Sequence, residues 1–388
     1  MSHGALHIRD SRTSREYEIP IRTNTELATD LKQIKADPVG ADRPDEVGDG
    51  LRVIDPGLKN TCVVETNMTY TDGERGLLLF RGYALEQLWQ SEFEDMLHLL
   101  VWGKYPTPSQ RDALRLTLAN KMSATPDHVA RTIKSFPRTS PPMPMIVAGL
   151  SAYLTFHADS IPTCKPQRIY HGNPAQTDKA ILRTAAAYAV VMGMAASLRR
   201  GIAFTTATTD NTYFENLFIM MGAVEPYTGR PDPRELSCFR RFAALNSEHG
   251  MALSSFAMVV TASSLTDPIS GLISSLVAAY GPLHFGAPEA EYKTIEAVGS
   301  VDEVPAFLEE VKSGKRRLFG YGHRTYTTYD PRVKPIKDML FSELDGDSDP
   351  LVKVASEIDR LSSEDEYFAK RKLHANADFY GTFFFKRL

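Results

Sequence analysis

Between residues 84 and 103 the chain reads ALEQLWQSEFEDMLHLLVWG, with apolar side chains at Leu85, Leu88, Trp89, Phe93, Met96, Leu97 and Leu100. That spacing lies close to 3.6 residues and predicts one amphipathic helix, stopped by Gly103. SQRDALRLTLANKM, TDKAILRTAAAYAVVMGMAASL and DPRELSCFRRFAALNSEHG follow in the same style. Alternation is confined to the start of the chain. ALHIR and YEIPI predict short strands, and TDGERG between short apolar pieces predicts a hairpin. Strand signals beyond residue 80 are few, the Pro-rich SFPRTSPPMPM reads as a connector, and no repeat is visible. The expectation is a mainly α fold with a short N-terminal β region.

The helical pattern changes character near residues 279–288. Before it the helices are rich in Ala and Ser; after it they are charged and amphipathic, as in VDEVPAFLEEVKSG and SDPLVKVASEIDRLSSE. This predicts an N-terminal β-rich segment over 1–50, a large α-helical domain over 51–284 and a small one over 285–388. Ligands commonly bind where such domains meet.

Composition narrows the partners. A net charge of −4 gives no overall pull toward nucleic acid or an acidic membrane. Two stretches bear on a membrane. In the first, the uncharged run over residues 184–198 is too short to span a bilayer and is followed by Arg199 and Arg200; the second begins at Gly250 and is broken by Asp267. Both are rich in Ala, Gly and Ser, which suits close packing inside a protein, so no membrane segment is predicted. Cys62, Cys164 and Cys238 are far apart and odd in number, which suits free thiols in a reducing compartment rather than a metal site. The first residues have no apolar signal core. A cytoplasmic location is expected, with a mitochondrial or peroxisomal one as the alternative, the latter for the final Lys386-Arg387-Leu388.

Candidate chemistry gathers in the last third. His249 lies in LNSEHGMALSSF, His284 in YGPLHFGAPEAE, His323 in GYGHR and His374 in KLHANADFY. Glycines around His284 and His323 let a ligand approach backbone and imidazole together. One such loop histidine alone is ordinarily structural; two, with Asp330-Pro331-Arg332 after one of them, weaken that reading. Asp330-Pro331 resembles an N-cap with proline at the first helical position, which puts Arg332 in a first turn able to clamp a carboxylate. Pro335 argues against a regular helix beginning there. Asp378 by itself reads as a plain loop or cap residue.

YGPLHFGAPEAE, FGYGHRTYTTYDPR and HANADFYG resemble, in that order, the three active-site segments of citrate synthases. RTSREYEIPI, GLRVIDPGLKNT, TYTDGERGLLLFRGYALEQL and VWGKYPT resemble the opening of the same family, so the likeness covers nearly the whole chain. It implies a two-domain, mostly helical homodimer that condenses an acyl-CoA with oxaloacetate, without metal or redox cofactor. It also implies roles. Asp378 would remove the proton next to the thioester, His284 would hydrogen-bond the enolate oxygen, and His323 would polarise the ketone. His249, His323 and Arg332 would hold oxaloacetate; Leu318, Gly320 and Gly322 would meet the CoA adenine. A carboxylate facing a thioester α-hydrogen is mismatched by on the order of ten pK units, about 14 kcal/mol. Pre-aimed donors in a dry site supply several kcal/mol each, so these groups must converge on one cavity.

The chain departs from the family pattern in three places. The loop after His284 reads Phe285-Gly286-Ala287-Pro288-Glu289, where small residues and an Asn are usual. His249-Gly250-Met251-Ala252-Leu253-Ser254 lacks the usual Glu and Asn, and Asn246 stands where a His is common. The sequence also stops ten residues past Asp378, before the helices that return to the large domain and bring two more arginines to oxaloacetate. The first two departures predict an acyl-CoA other than acetyl-CoA and an alkylated citrate as product. Ordinary citrate formation is the alternative, and the third departure raises another, an inactive relative that only dimerises or binds acyl-CoA.

Overall fold

The alternating N-terminal pieces form an antiparallel hairpin, β1 (Gly4–Arg9) and β2 (Glu16–Ile21), in register from Gly4 opposite Ile21 to Arg9 opposite Glu16. Asp10 closes its turn by accepting from the Arg12 backbone N–H and from the Arg12 guanidinium. This is a computed structural model, and it describes residues 4–35, 50–164, 168–281, 284 and 286–387, except the side chains at 287 and 387. The chain forms two compact units, Met1–Thr66 and Asn67–Leu388.

The second unit opens with the predicted hairpin. Strands β3 (Thr69–Asp72), β4 (Leu77–Phe80) and β5 (Tyr83–Ala84) make an antiparallel sheet in that order. Helices follow: α1 (Leu85–Leu88), α2 (Phe93–Trp102), α3 (Pro108–Ser123), α4 (Asp127–Lys134), α5 (Pro142–Thr155), α6 (Pro174–Arg200), α7 (Tyr213–Met221) and α8 (Pro233–Leu245). Then come α9 (Leu253–Ala262), α10 (Pro268–Ala279), α11 (Gly286–Val298), α12 (Val304–Lys312), α13 (Val333–Ser342), α14 (Pro350–Glu364), α15 (Glu366–Lys370) and α16 (Ala377–Arg387).

Two expectations change in detail. The helix predicted over 85–102 is broken between α1 and α2. There the Asp95 carboxylate accepts from the Glu92 N–H at 3.0 Å and starts a fresh helix, which Gly103 ends at φ 77°. The supposed connector SFPRTSPPMPM ends in helix over its last four residues: Pro142 occupies the first position of α5, where no intrahelical N–H is needed.

Two clusters of buried side chains hold the second unit together. One is built on α3–α7, with Ile269 and Leu276 of α10. At its centre runs α6, which is long and apolar enough to cross a membrane, yet half of that stretch is buried against protein. The other takes in β4, α1, α2 and α8 together with α11–α16. This second core carries the loop and helix on which the candidate residues sit.

Candidate active site

The segment after α12 places His323. Gly320 and Gly322 have φ of 69° and 82°, a left-handed backbone that side chains resist. The loop is pinned to residues 374–376 by backbone bonds. Gly322 N–H donates to the His374 carbonyl at 2.8 Å, and Asn376 N–H donates to the Gly320 carbonyl at 2.8 Å. Asn376 Nδ2 adds a bond to the Gly322 carbonyl at 2.9 Å. The chain then curls so that His323 Nδ1 accepts from the backbone N–H groups of Thr325 (3.0 Å) and Tyr326 (3.3 Å). An imidazole nitrogen that accepts carries no proton, so the N–H of neutral His323 is on Nε2. The turn of the β3–β4 hairpin buttresses this curl: the Gly73 carbonyl accepts from Thr327 N–H at 3.1 Å, and a Cβ on Gly73 would lie 1.9 Å from the Thr325 carbonyl oxygen.

His249 packs edge-on to His323 with ring centroids 4.8 Å apart, and its Nε2 is 3.1 Å from the Tyr326 hydroxyl. The loop carrying His249 is tied down by Glu248, which accepts from Thr69 Oγ1 and Gly250 N–H at 2.6 Å each. Burial pushes the His249 imidazole down to about 4, helped by Arg332 and His323. Burial likewise lowers His323, with Asp330 opposing and Arg332 assisting. Both rings are therefore neutral at pH 7.

Arg332 completes the cluster in a way that differs from the expectation. Asp330 is not a helix cap, and Arg332 stands just ahead of α13 rather than in its first turn; Pro335 is accommodated as its third residue. Asp330 is 2% exposed and accepts from Arg332 N–H (3.0 Å), Nε (3.0 Å) and Nη2 (2.8 Å), and from Ala377 N–H (3.0 Å). The guanidinium fork is thus already paired with a carboxylate, and Nη1 donates to Asn246 Oδ1 at 3.2 Å. Burial alone would raise the Asp330 carboxyl, but Arg332 outweighs it and holds the group below the ordinary range. Through Ala377, Asp330 also joins the His323–Arg332 segment to α16.

Asp378 lies in the first turn of α16, with its N–H capped by Asn376 Oδ1 at 3.0 Å. Solvent reaches its side chain, yet protein atoms crowd it on most sides, as at the floor of a concave site. That crowding raises its carboxyl; Arg332 and His284 oppose the rise and Asp330 adds to it. His284 stands between α10 and α11, its Nε2 3.0 Å from Ser254 Oγ in the first turn of α9. Burial lowers its imidazole and Asp378 counteracts. Asp378 is therefore within electrostatic reach of both His284 and Arg332.

Of the other candidates, Leu318 is buried in the core, and Gly320 and Gly322 use backbone groups to hold residues 374–376. His374 supplies only its carbonyl to the pairing described. Met251 and Leu253 are exposed, and Phe285 lies outside the described residues. Among the described residues no group of three His, Cys, Asp or Glu side chains is placed to hold a metal. Sequence reasoning missed Tyr326, Ser254 and Glu291. Glu291, on α11, is 1% exposed, and neither carboxyl oxygen has a hydrogen-bond partner among the described residues. It lies against Gly320, where a Cβ would come within 2.5 Å of it, and burial holds its carboxyl well above the usual range.

Residues 57–388 match the family described as citrate synthase, C-terminal domain. An alkylcitrate synthase from a fungal species (strain ATCC 74256) is 50% identical over 99% of this chain and 84% of its own length. Another, from Talaromyces stipitatus, is 45% identical over 100% of this chain and 85% of its own. In architecture the chain is similar to the citrate synthase of Thermoplasma acidophilum solved with carboxymethyl coenzyme A and oxaloacetate. The TM-score is 0.74 at 22% identity, over 86% of this chain and 84% of that one. The helical architecture, the order of the three active-site segments and these matches agree: the chain belongs to the citrate synthase family.

Proposed function

We propose that this protein joins an acyl-CoA longer than acetyl-CoA to oxaloacetate, releasing an alkylated citrate and free CoA. The reaction class is carried by the cluster of neutral imidazoles, one buried guanidinium and one crowded carboxylate. The alkyl group is carried by the near-full-length identity to two alkylcitrate synthases.

Asp378 takes a proton from the carbon next to the thioester. Crowding raises its pKa, which makes its ionised form a stronger base than a free carboxylate. The electron pair moves onto the thioester oxygen, which His284 meets as a donor. Ser254 Oγ, 3.0 Å from His284 Nε2, orients the ring for that task. The enolate carbon attacks the oxaloacetate ketone, whose oxygen receives the Nε2–H of His323. His249 and the Arg332 N–H groups not engaged by Asp330 or Asn246 hold the substrate carboxylates. Water then cleaves the thioester, leaving a carboxylic acid and CoA. The segment of Leu318, Gly320 and Gly322 receives the CoA. Closure of the site around the bound substrates would shut out water during the enolate's lifetime. The scheme needs no cofactor beyond the acyl-CoA substrate.

The protein is proposed to act as a homodimer. Leu253 and Val260 of α9, Val277 of α10 and Tyr280 just past its end are each more than half accessible, an apolar surface suited to a second copy. A cytoplasmic location completes the reading. Mass spectrometry of the products from mixed acyl-CoAs and oxaloacetate tests the function. Alkylated citrates are expected, whereas citrate alone, or no release of CoA, would refute the proposal.

A further inference from the structure

Outside the cluster, one carboxylate gathers donors from three segments. Asp359, on α14, accepts from the Tyr321 hydroxyl through Oδ1 at 2.7 Å. Its Oδ2 accepts from the Tyr380 hydroxyl at 2.8 Å and from Lys337 Nζ at 2.7 Å. Each donor sits close in sequence to a residue of the cluster. Tyr321 precedes His323 by two positions, Tyr380 follows Asp378 by two, and Lys337 is on the helix that begins after Arg332. The arrangement is tight. Tyr380 is fully buried, Lys337 Nζ lies 4.9 Å above its ring, and the Tyr321 ring packs edge-on to Phe379 at 4.9 Å.

We propose that Asp359 is a positioning residue, one that fixes the ketone-polarising His323 relative to the base Asp378 without touching either. The inference rests on the roles proposed above for those two residues. The same two segments are joined through their backbones around Tyr321 and Ala375, by Asn376 Nδ2 on the Gly322 carbonyl and by Asp330 on Ala377 N–H, all close to the cluster itself. Asp359 adds a hold through side chains, tying Tyr321, Tyr380 and Lys337 to one carboxylate on a third element, α14. Three donors meeting two oxygens require an ionised carboxylate. An asparagine there keeps the volume but turns an NH2 toward a donor.

The roles of the two partners separate in experiment. Exchange of the acyl α-hydrogen with D2O, measured with malate filling the oxaloacetate site, needs the base and the enolate donor. Malate has no ketone, so His323 has nothing to polarise. Condensation needs all of them in register. Asp359→Asn should lower kcat for condensation about 30-fold, since misplacement near 1 Å costs on the order of a hundredfold, while exchange falls less than about threefold. The ratio of exchange to condensation therefore rises about tenfold. A merely destabilised protein would lose both in proportion. Equal loss of the two rates, or no loss of either, overturns the inference. Tyr321→Phe removes a single hydroxyl. It serves if the first variant does not fold, with the same direction of change expected and an unchanged ratio again contradicting the inference. Asp378→Asn, run alongside, keeps the two claims apart. If it still exchanges, the proposed roles fall and the inference falls with them. If it is inert while Asp359→Asn keeps the wild-type ratio, only the inference falls.

Discussion

Each histidine of the cluster is held neutral by its surroundings, and this has a consequence for pH dependence. Burial lowers His249, His323 and His284, so none of them titrates in the ordinary range near 6.5. Rate should therefore be flat from pH 8 down through 6.5 and fall only at more acid pH. There protonation of Asp378, whose carboxyl is raised, removes the base, and protonation of His323 would cost its Nδ1 the bonds from Thr325 and Tyr326 N–H. A kcat/KM profile with its midpoint near 6.5 would contradict this. Glu291 behaves in the opposite sense. Its carboxyl is raised by burial, so the folded state keeps a proton that the unfolded state gives up above about 4.5. The stability this lends is complete below that pH and erodes as pH rises toward the folded value, by about 1.4 kcal/mol per unit. Glu291→Gln should thus raise Tm at pH 8 and leave it nearly unchanged at pH 4.5, as read by thermal denaturation. The histidines were legible because glycines flagged their loops. Glu291 was not, because its burial comes from α16 and the 320–322 loop, far away in sequence.

Among the elements, the glycine loop and the N-terminus of α16 form one assembly, joined at the Tyr321–Ala375 bridge and by Asp330. Gly320→Ala should destabilise the protein by about 2–4 kcal/mol. The left-handed backbone costs ~1–2 of this and displacing Glu291 a similar amount. Urea unfolding checks it, and a change below 0.5 kcal/mol would mean that the loop relaxes instead. Helix positions were readable from periodicity, since most apolar faces continue one period. The break between α1 and α2 was not, because the apolar period runs straight through it. What ends α1 is a cap at Glu92 and Asp95, and the Ser91 hydroxyl, 2.8 Å from that of Tyr105. The Asp330-Pro331-Arg332 string suggested a cap for a similar reason. Local spacing could not reveal that Arg332 folds back onto Asp330, or that Ala377 claims the same carboxylate.

For the molecule as a whole, the mainly helical architecture followed from the pattern, and the family from motifs spread along nearly the full chain. The choice of acyl group is harder to read, because side chains that line a binding tunnel resemble ordinary core. The exposed face of α9 and α10 bears on assembly. Val260→Glu places a charge in the proposed dimer interface and should convert dimer to monomer by light scattering after gel filtration, while a wild-type monomer would refute the dimer. The central claim is condensation on an acyl chain longer than acetyl, and kcat/KM measured by thiol release across a series of acyl-CoAs tests it most directly. Each methylene buried in a fitting pocket is worth about 0.8 kcal/mol, close to fourfold. The account predicts a stepwise rise in kcat/KM to a plateau at least tenfold above acetyl-CoA; a maximum at acetyl-CoA, or no thiol released with any of them, would contradict it.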